Sequence, residues 1–522
     1  MAKARIGAEV SGAVAGIAAL ILVGTLIDDQ IVGILVALLV FPLIVFAMSR
    51  VPIRVSMMAL LFLVLVLPNP SEGLPTAWRP PFCGLGATLM NRFNSLLREV
   101  KLFDLFWFSG LDVLFVTLGV IIRMRRSSGS TIDGPRVPTP KPLIQLAWLS
   151  LGTALFTWLS GLARGGDFRY SLWQLNAVIY LPIIFLLFQA GLRGAEDLGA
   201  LARVVVTAAL YKAGLAYYVV HFITGYKDAD TGSTTPPFGT SHADSVLFSV
   251  AVVLLLICVI ERVHKKAKLH ALLILPILLG VKANNRRLAW AEIGLTIAVI
   301  LIASRESAMK RKIRRYLLAL APILTAYVVA GWNTRNGRLF KPVQMIRSMA
   351  EPKTDSSSLW RELENYNIIV TFRDHFLLGT GFGHPYEQAI VLPAVEYSLE
   401  RYAPHNSLLG VWCYTGLVGF AGLTLLWAGG IYFAMRVYYN SPDPTSRSGA
   451  LMVLAVVLIY LMQSWGDIGL SSWSAVFLMG AAMAVAGKLA VTSGEWSSAR
   501  KAPAGGFAAP PRGGFARPGP PR

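Results

Sequence analysis

The 522-residue chain would suit three or four soluble domains by length, but its composition excludes them. Apolar residues (AVILMFWYC) make up 55% of the sequence, charged residues make up only 15%, and the mean hydropathy is +0.58. The net charge of +20 and three cysteines rule out an acidic protein and a disulfide-rich secreted domain. A chain this apolar cannot cover itself with a polar surface, so we expect an all-α polytopic membrane protein.

Fourteen stretches of about 17–25 residues with few charges predict membrane-spanning helices. In chain order they are 9–27, 31–48, 53–68, 102–122, 143–161, 170–190, 198–224, 241–261, 269–282, 288–303, 316–331, 406–435, 449–465 and 471–489. The first resembles a secretory signal, but no clear cleavage site follows it, so we interpret it as an uncleaved span.

The distribution of Lys and Arg predicts the orientation of these spans. With fourteen spans, both termini lie on one side, and that side carries 29 of the 48 basic residues. The positive-inside rule makes it cytoplasmic, so the long loops 69–100 and 332–405 are expected outside. Anionic membrane lipid then accounts for the basic excess, and no nucleic-acid partner is needed.

The chain divides into four parts on this interpretation. Residues 1–331 hold the first eleven spans and outer loop 69–100, and residues 332–405 form a large extracytoplasmic loop. Residues 406–489 hold the last three spans. The Gly/Pro/Arg-rich segment 490–522 predicts a disordered cytoplasmic tail.

The loop 332–405 is expected to be helical at its centre. Apolar residues recur there at helical spacing, with charged residues between them: Leu359, Leu363, Tyr366 and Val370, against Arg361, Glu362, Glu364 and Arg373. The sequence then reaches Gly379, Gly381 and Gly383. Because no parallel-sheet pattern precedes these glycines, they favour a tight turn over a phosphate-binding loop.

His405 and Asn406 end this loop and begin the next apolar run. Asn406 suits the N-cap of that helix, so His405 would lie at the positive end of a helix dipole, which favours a neutral imidazole. A neutral ring could accept a proton, and the same helix end could attract pyrophosphate. The alternative is an interfacial histidine with no role in chemistry.

A second cationic feature lies between two short spans, 269–282 and 288–303. Each half is too short to cross about 30 Å of hydrocarbon comfortably, so the joining turn with Lys282, Arg286 and Arg287 should be recessed below the outer surface. Buried cations suggest a lipid-linked diphosphate ligand, with Arg361 closing over it. The alternative is that the three cations extend to the interface.

Four further charged residues could line the same cavity or be ordinary interfacial residues: Arg164, Arg169, His242 and Asp244. A metal site is not expected. No cluster of His, Cys and Asp has the spacing of metal ligands.

Three motifs, which cover roughly 225–435, resemble the bacterial O-antigen ligase and polysaccharide polymerase superfamily. The first is PPFGTSHADSVLF, the second is NNRRLAW, and the third joins SSSLWRELENYNIIVTFRDHFLLGTGFG to PHNSLLGVWCYTGLVGF. The chain departs from the family pattern at Tyr414, where Glu is common, and its doubled arginine leaves open which of Arg286 and Arg287 matches.

The resemblance implies a GT-C-type membrane glycosyltransferase that needs no metal or other cofactor. Its donor would be a glycan on undecaprenyl pyrophosphate, in the outer leaflet of the bacterial cytoplasmic (inner) membrane, and its acceptor a sugar hydroxyl. His405, Arg286, Arg287 and Arg361 are the expected catalytic residues. Asn406, Lys282 and the four charged residues above are expected to bind substrate.

Three functions follow from these observations. A polymerase would join lipid-linked repeat units into O-antigen, capsule or exopolysaccharide, and a chain-length regulator protein could be its partner. A ligase would transfer the glycan to lipid A-core or protein. The number of spans and loop 69–100 favour the polymerase, because ligases are often shorter. A transporter or flippase would show paired broken helices in two related halves, and only one short pair is present.

Overall fold

The computed structural model describes residues 30–68, 82–92, 107–225, 240–241, 243–334, 356–393 and 401–496, with a few isolated positions besides. Predicted span 9–27, most of loop 69–100, His242 and the predicted tail from residue 497 lie outside the described residues. Within the described ranges, every regular element is a helix, which confirms the all-α prediction.

Fifteen helices are numbered here in chain order. The first seven are α1 Gln30–Arg50, α2 Ile53–Val66, α3 Cys83–Met90, α4 Gly110–Ser127, α5 Lys141–Ala163, α6 Phe168–Gly191 and α7 Ala195–Tyr218, which continues into a π-helical turn, Val219–Ile223. The others are α8 Asp244–Ile260, α9 Ala267–Asn284, α10 Arg287–Ala303, α11 Ala308–Trp332, α12 Ser356–Asp374, α13 Ser407–Asn440, α14 Pro444–Gly466 and α15 Trp473–Thr492.

Eight described helices are long and apolar enough to cross a membrane, so the chain is a multi-pass membrane protein. They are α5, α6, α7, α9, α11, α13, α14 and α15. Shorter apolar helices include α2 and α8. A helix occupies each predicted span from 31–48 onward, but the predicted count of fourteen crossings is not confirmed.

Helix α15 forms the centre of the bundle. Nearly nine-tenths of its apolar stretch is buried, and it packs against α6, α13 and α14. Small residues allow this close approach: a Cβ on Gly480 would lie 2.6 Å from the Ile184 side chain of α6. Helix α11 is the opposite case, since it lies at the edge of the bundle with its apolar stretch unburied.

Several helix ends meet at one end of the bundle, here called the site end. The end of α14 and the turn between α14 and α15 both contact the start of α13, because Ser407 Oγ donates to Ser464 O at 3.0 Å and accepts from Leu470 N at 3.3 Å. The start of α10 reaches the same place, where a Cβ on Gly466 would lie 2.9 Å from the Leu288 side chain. Helix α12 packs across α13. The site end therefore gathers chain segments that are far apart in sequence.

Helix α12 confirms the helix predicted in the large loop, but its packed face was not the one expected. The most buried residues are Glu364, Asn367, Ile368 and Thr371, whereas Tyr366 is half exposed. Asn367 explains the difference: its side chain donates to Ile390 O at 2.7 Å and accepts from Ile390 N at 2.8 Å. Polar side chains on α12 thus bind the backbone of the segment that follows.

Candidate active site

The short turn between α9 and α10 carries two of the predicted catalytic arginines. Asn285 adopts a left-handed conformation, with φ of 53°, which reverses the chain in two residues. Arg286 precedes α10 and Arg287 is its first residue, and both are partly buried. The helix–turn–helix prediction is therefore confirmed, and Lys282 lies exposed one turn earlier on α9.

Hydrogen bonds hold this turn against the start of α8. Buried Asn284 accepts from Thr240 Oγ1 at 3.2 Å and donates to Ser241 O at 3.3 Å. The motif that ends in Thr240 and Ser241 and the motif that begins with Asn284 are thus neighbours in the fold.

Arg286 experiences charges from two other segments. Burial lowers the pKa of its guanidinium, the Asp467 carboxylate opposes that change, and the Arg361 guanidinium adds to it. Asp467 lies in the α14–α15 turn and Arg361 in α12. The predicted pairing of Arg286 with Arg361 is therefore compatible with the structure. The two guanidinium charges exceed the single carboxylate charge of Asp467, and a net positive charge suits a multiply charged anion.

Asp467 was missed by the sequence interpretation. It follows an uninterrupted apolar helix in the sequence SWGDIG and is the only acidic residue between Asp443 and Glu495. That isolation in a predicted outer turn was the available signal.

His405 is held by a carboxylate from α12. The backbone N–H of His405 donates to Glu364 Oε2 at 3.1 Å, and His405 Nδ1 lies 3.4 Å from the same oxygen. The second distance allows an ion pair, but its geometry does not make a hydrogen bond. The Glu364 side chain is almost fully buried, and Trp360 packs edge-on against the imidazole at 5.0 Å between ring centroids. Nδ1 therefore faces Glu364, which leaves Nε2 as the nitrogen to meet a substrate.

Asn406 caps α13 as predicted. Its Oδ1 accepts from Leu409 N at 3.1 Å, and the residue is only 2% exposed. Its Nδ2 has no hydrogen-bond partner among the described residues. A buried amide donor without a hydrogen-bond partner among the described residues therefore lies directly after His405 in the chain.

The glycine-rich turn after α12 is structural, which confirms the tight turn that the sequence favoured over a phosphate-binding loop. Its backbone N–H groups are already used: Gly379 donates to His375 O, Gly381 to Tyr414 O and Gly383 to Gln174 Oε1. All three glycines have φ between 67° and 89°. A Cβ on any of them would come within 2.6 Å of backbone from α5, α13 or the α5–α6 turn.

This turn also fills a break in α13. Gly416 has φ 59° and ψ −165°, so the helical hydrogen bonds are interrupted there. The neighbouring donors are taken by the turn, because Leu417 N donates to Phe376 O at 2.9 Å and Val418 N donates to Leu377 O at 3.2 Å. The first turns of α13, which begin just after His405, are thereby fixed to the glycine-rich turn.

The remaining predicted substrate-binding residues lie around this centre. Arg164 donates from Nη1 to Gly379 O at 3.0 Å, and Arg169 lies over the Trp107 ring at 5.7 Å. Asp244 forms a buried ion pair with Lys212, with Nζ 3.2 Å from Oδ1. Arg164 and Asp244 thus contact the protein itself, an arrangement that favours a supporting role over substrate contact.

In the part of the chain that the structure describes, no three His, Cys, Asp or Glu residues lie together as metal ligands would. Helix α12 instead links two parts of the site, because Glu364 contacts His405 and Arg361, one turn earlier, acts electrostatically on Arg286. Such a set can anchor a phosphate-containing leaving group and accept a proton nearby.

Residues 271–424 match the protein-family model Wzy_C, described as O-antigen ligase. The match runs from α9 to a point in α13 beyond the break at Gly416, so it contains both arginines of the turn, Arg361, His405 and Asn406. It confirms the superfamily resemblance seen in the sequence motifs. No curated protein matched the sequence significantly.

Proposed function

We propose that the protein is a membrane glycosyltransferase that moves a glycan from a lipid diphosphate to a hydroxyl acceptor. The observation that carries this proposal is that α12 supplies Glu364 to His405 and places Arg361 within electrostatic reach of Arg286, with all four residues inside the region that matches the O-antigen ligase family. The donor class, undecaprenyl pyrophosphate, comes from the family resemblance. The cations of the turn suit its diphosphate.

In this mechanism, Arg286 and Arg361 hold the diphosphate, with Arg287 and Lys282 beside them. The acceptor hydroxyl attacks the anomeric carbon as the bond from that carbon to the diphosphate oxygen breaks. The electron pair stays on the lipid diphosphate, where the guanidinium charges stabilise it, so no acid is required. Asp467 orients Arg286 from the other side.

The hydroxyl proton passes to Nε2 of His405. A positioned base of this type contributes about 10²–10⁴-fold to the rate. Glu364 lies beside Nδ1, so it holds the ring orientation and stabilises the imidazolium that forms. In the alternative, His405 only positions the donor or acceptor by hydrogen bonding.

The pH profile of membrane preparations tests the two roles. If His405 is the base, activity falls as the pH is lowered and the imidazole becomes protonated, because the cation cannot accept a proton. His405→Ala should then be nearly inactive yet still bind the lipid-linked donor. A His405→Gln variant with near wild-type turnover would leave only the positioning role. Activity should persist in EDTA, since metal independence is part of the proposal.

Polymerase and ligase differ in the acceptor. We favour a polymerase that joins lipid-linked repeat units, with a chain-length regulator as a partner. The eight helices that the structure describes before the matched region accord with its greater length. The ligase remains the second candidate, because the matching family model is itself described as O-antigen ligase.

Surface glycans of a deletion strain separate these functions. Loss of long chains, with single repeats still attached to core, indicates a polymerase, whereas long chains that remain unattached indicate a ligase. An unchanged surface glycan would contradict both the polymerase and the ligase.

The active site is proposed to face outward from the bacterial inner membrane. Replacing Asp355 by cysteine places a thiol in the large loop. An impermeant maleimide should label it in intact cells, and labelling only after lysis would reverse the proposed orientation.

A further inference from the structure

Two tyrosines form an aromatic surface close to His405. Tyr402, from the end of the large loop, stacks on Tyr170 in the first turn of α6, with ring centroids 3.9 Å apart and planes 15° apart. Both residues are partly exposed. We call this pair the tyrosine shelf.

The tyrosine shelf lies close to His405, at a distance that one or two sugar units could span. Tyr402 precedes His405 by three residues, so their Cα atoms are at most about 11 Å apart. The segment is also well anchored. Arg401 donates to Tyr386 O from Nε and Nη2, at 3.2 and 3.0 Å, and accepts from Tyr386 N at 3.1 Å.

Charged groups surround the shelf. The pKa of the Tyr402 hydroxyl is raised by burial, then by Tyr170 and the Asp167 carboxylate, while Arg401 lowers it. Asp167 caps α6, where its Oδ1 accepts from Arg169 N at 2.7 Å. A neutral phenol, a carboxylate and a guanidinium thus share one patch with an aromatic face.

This combination matches the chemistry of a sugar ring. One face of a pyranose presents C–H bonds, which pack on the electron-rich face of an aromatic ring, and its rim of hydroxyls bonds to charged and phenolic groups. We propose that the tyrosine shelf is a saccharide subsite that binds the pyranose ring next to the reacting sugar. The inference rests on the proposed glycosyltransferase function and adds to it the place where the glycan is recognised.

Aromatic residues also collect at membrane interfaces for reasons unrelated to substrates. The chain offers a matched control for that alternative. Tyr218 and Phe222 form a second stacked pair, 5.4 Å between centroids, at the corresponding end of α7, and both side chains are exposed. An interfacial role would make the two pairs behave alike.

The test uses the full-length protein purified in detergent and the lipid-linked glycan extracted from a deletion strain. We expect Tyr402→Leu to raise the glycan KM by about 3–10-fold, the range that an aromatic contact contributes, with kcat changed less than twofold. Tyr402→Phe should keep the ring and most of the affinity, and Phe222→Leu should match the wild type. If Tyr402→Leu does not accumulate in membranes, Tyr170→Leu makes the same test from α6.

Direct binding gives a second readout. The saccharide released from that lipid by mild acid is added to the inactive His405→Ala protein, and saturation transfer from protein to sugar protons is measured by NMR. Adding Tyr402→Leu should weaken the transfer at a given saccharide concentration in line with the loss of affinity of about 3–10-fold, whereas adding Phe222→Leu should leave it unchanged.

The outcomes separate the subsite from the function on which it rests. If His405→Ala eliminates glycan transfer but Tyr402→Leu and Tyr170→Leu keep wild-type KM and saturation transfer, the shelf proposal is wrong and the enzyme proposal stands. If His405→Ala leaves surface glycans unchanged, the proposed function itself fails.

Discussion

The buried ion pair between Lys212 and Asp244 offers a quantitative test of how the arginine turn is held. Their side chains are only 3% and 2% exposed, and Lys212 Nζ also lies 3.5 Å from Leu67 O. Removing one partner of such a pair leaves an uncompensated charge and costs about 3–5 kcal/mol. We therefore expect Lys212→Met to lower the stability of the purified protein substantially.

Loss of this ion pair should also weaken donor binding, because only a few residues connect Asp244 to the turn that carries Arg286. Asp244 begins α8, directly after the segment in which Thr240 and Ser241 bind Asn284, two residues before Arg286. Two hydrogen bonds at about 0.5–1.5 kcal/mol each limit the loss of donor affinity to about 1–3 kcal/mol, or about 5–150-fold. The donor KM of Asp244→Asn should rise within that range, with a smaller change in kcat.

A double-mutant cycle and a matched pair serve as controls. Lys212→Met/Asp244→Asn has no unpaired charge, so it should recover part of the stability lost in either single variant. Arg447 and Glu261 form an ion pair in which Nε lies 2.8 Å from Oε2. It joins the end of α8 to the start of α14, and these are the helix ends that lie away from the site end. Glu261→Gln should lower the melting temperature without changing donor KM. Equal effects of Glu261→Gln and Asp244→Asn on donor KM would refute the claim that Asp244 acts on donor binding through the hydrogen bonds to Asn284.

Three further predictions concern single residues of the site. Glu364→Gln keeps an acceptor for the backbone N–H of His405 but removes the negative charge beside Nδ1, so kcat should fall about 10–100-fold at constant KM. An unchanged kcat would show that Glu364 does not stabilise the imidazolium of His405. Arg286→Lys should reduce donor binding more than Arg287→Lys, because Arg286 lies within the electrostatic reach of Arg361 and Asp467. The reverse order in donor-binding assays would assign the diphosphate to Arg287. Gly416→Ala should prevent accumulation of folded protein, since its Cβ would lie 2.4 Å from backbone atoms of Leu377, whereas Gly294→Ala meets nothing within 4 Å and should accumulate normally on an immunoblot of membranes.

Much of the helical framework follows from the sequence because lipid demands long apolar helices. The helix of the large loop, the sharp turn before Arg286 and the cap at Asn406 were all recognisable from local patterns. These features depend on residues close together in the chain, where spacing and capping preferences are informative.

The pairings across the site were not recognisable in this way. Glu364 appeared as one of several charges on a polar helix face, and only the fold shows that it is buried against His405. Asp467 acts on Arg286 from the α14–α15 turn, and that turn is bound to the start of α13 through Leu470 N and Ser407 Oγ, residues about sixty positions apart. The expected packed face of α12 was wrong because Asn367 and Thr371 bind backbone, which hydropathy patterns do not reveal.

The interrupted helix α13 bears on how such an enzyme could be redesigned. At 34 residues it would extend about 51 Å if continuous, well beyond the hydrocarbon thickness, and Gly416 divides it into a half-helix at His405 and a longer span. The joint is made by main-chain groups, through Thr380 N to Cys413 O and Leu417 N to Phe376 O. Outward-facing side chains of the neighbouring segments, such as Val391 and Tyr402, do not enter this joint, so they can be exchanged without loosening the half-helix that presents the histidine, whereas Tyr386 and Pro404 are buried. Libraries that seek altered sugar preference should vary the outward-facing positions and leave the glycines of the joint unchanged.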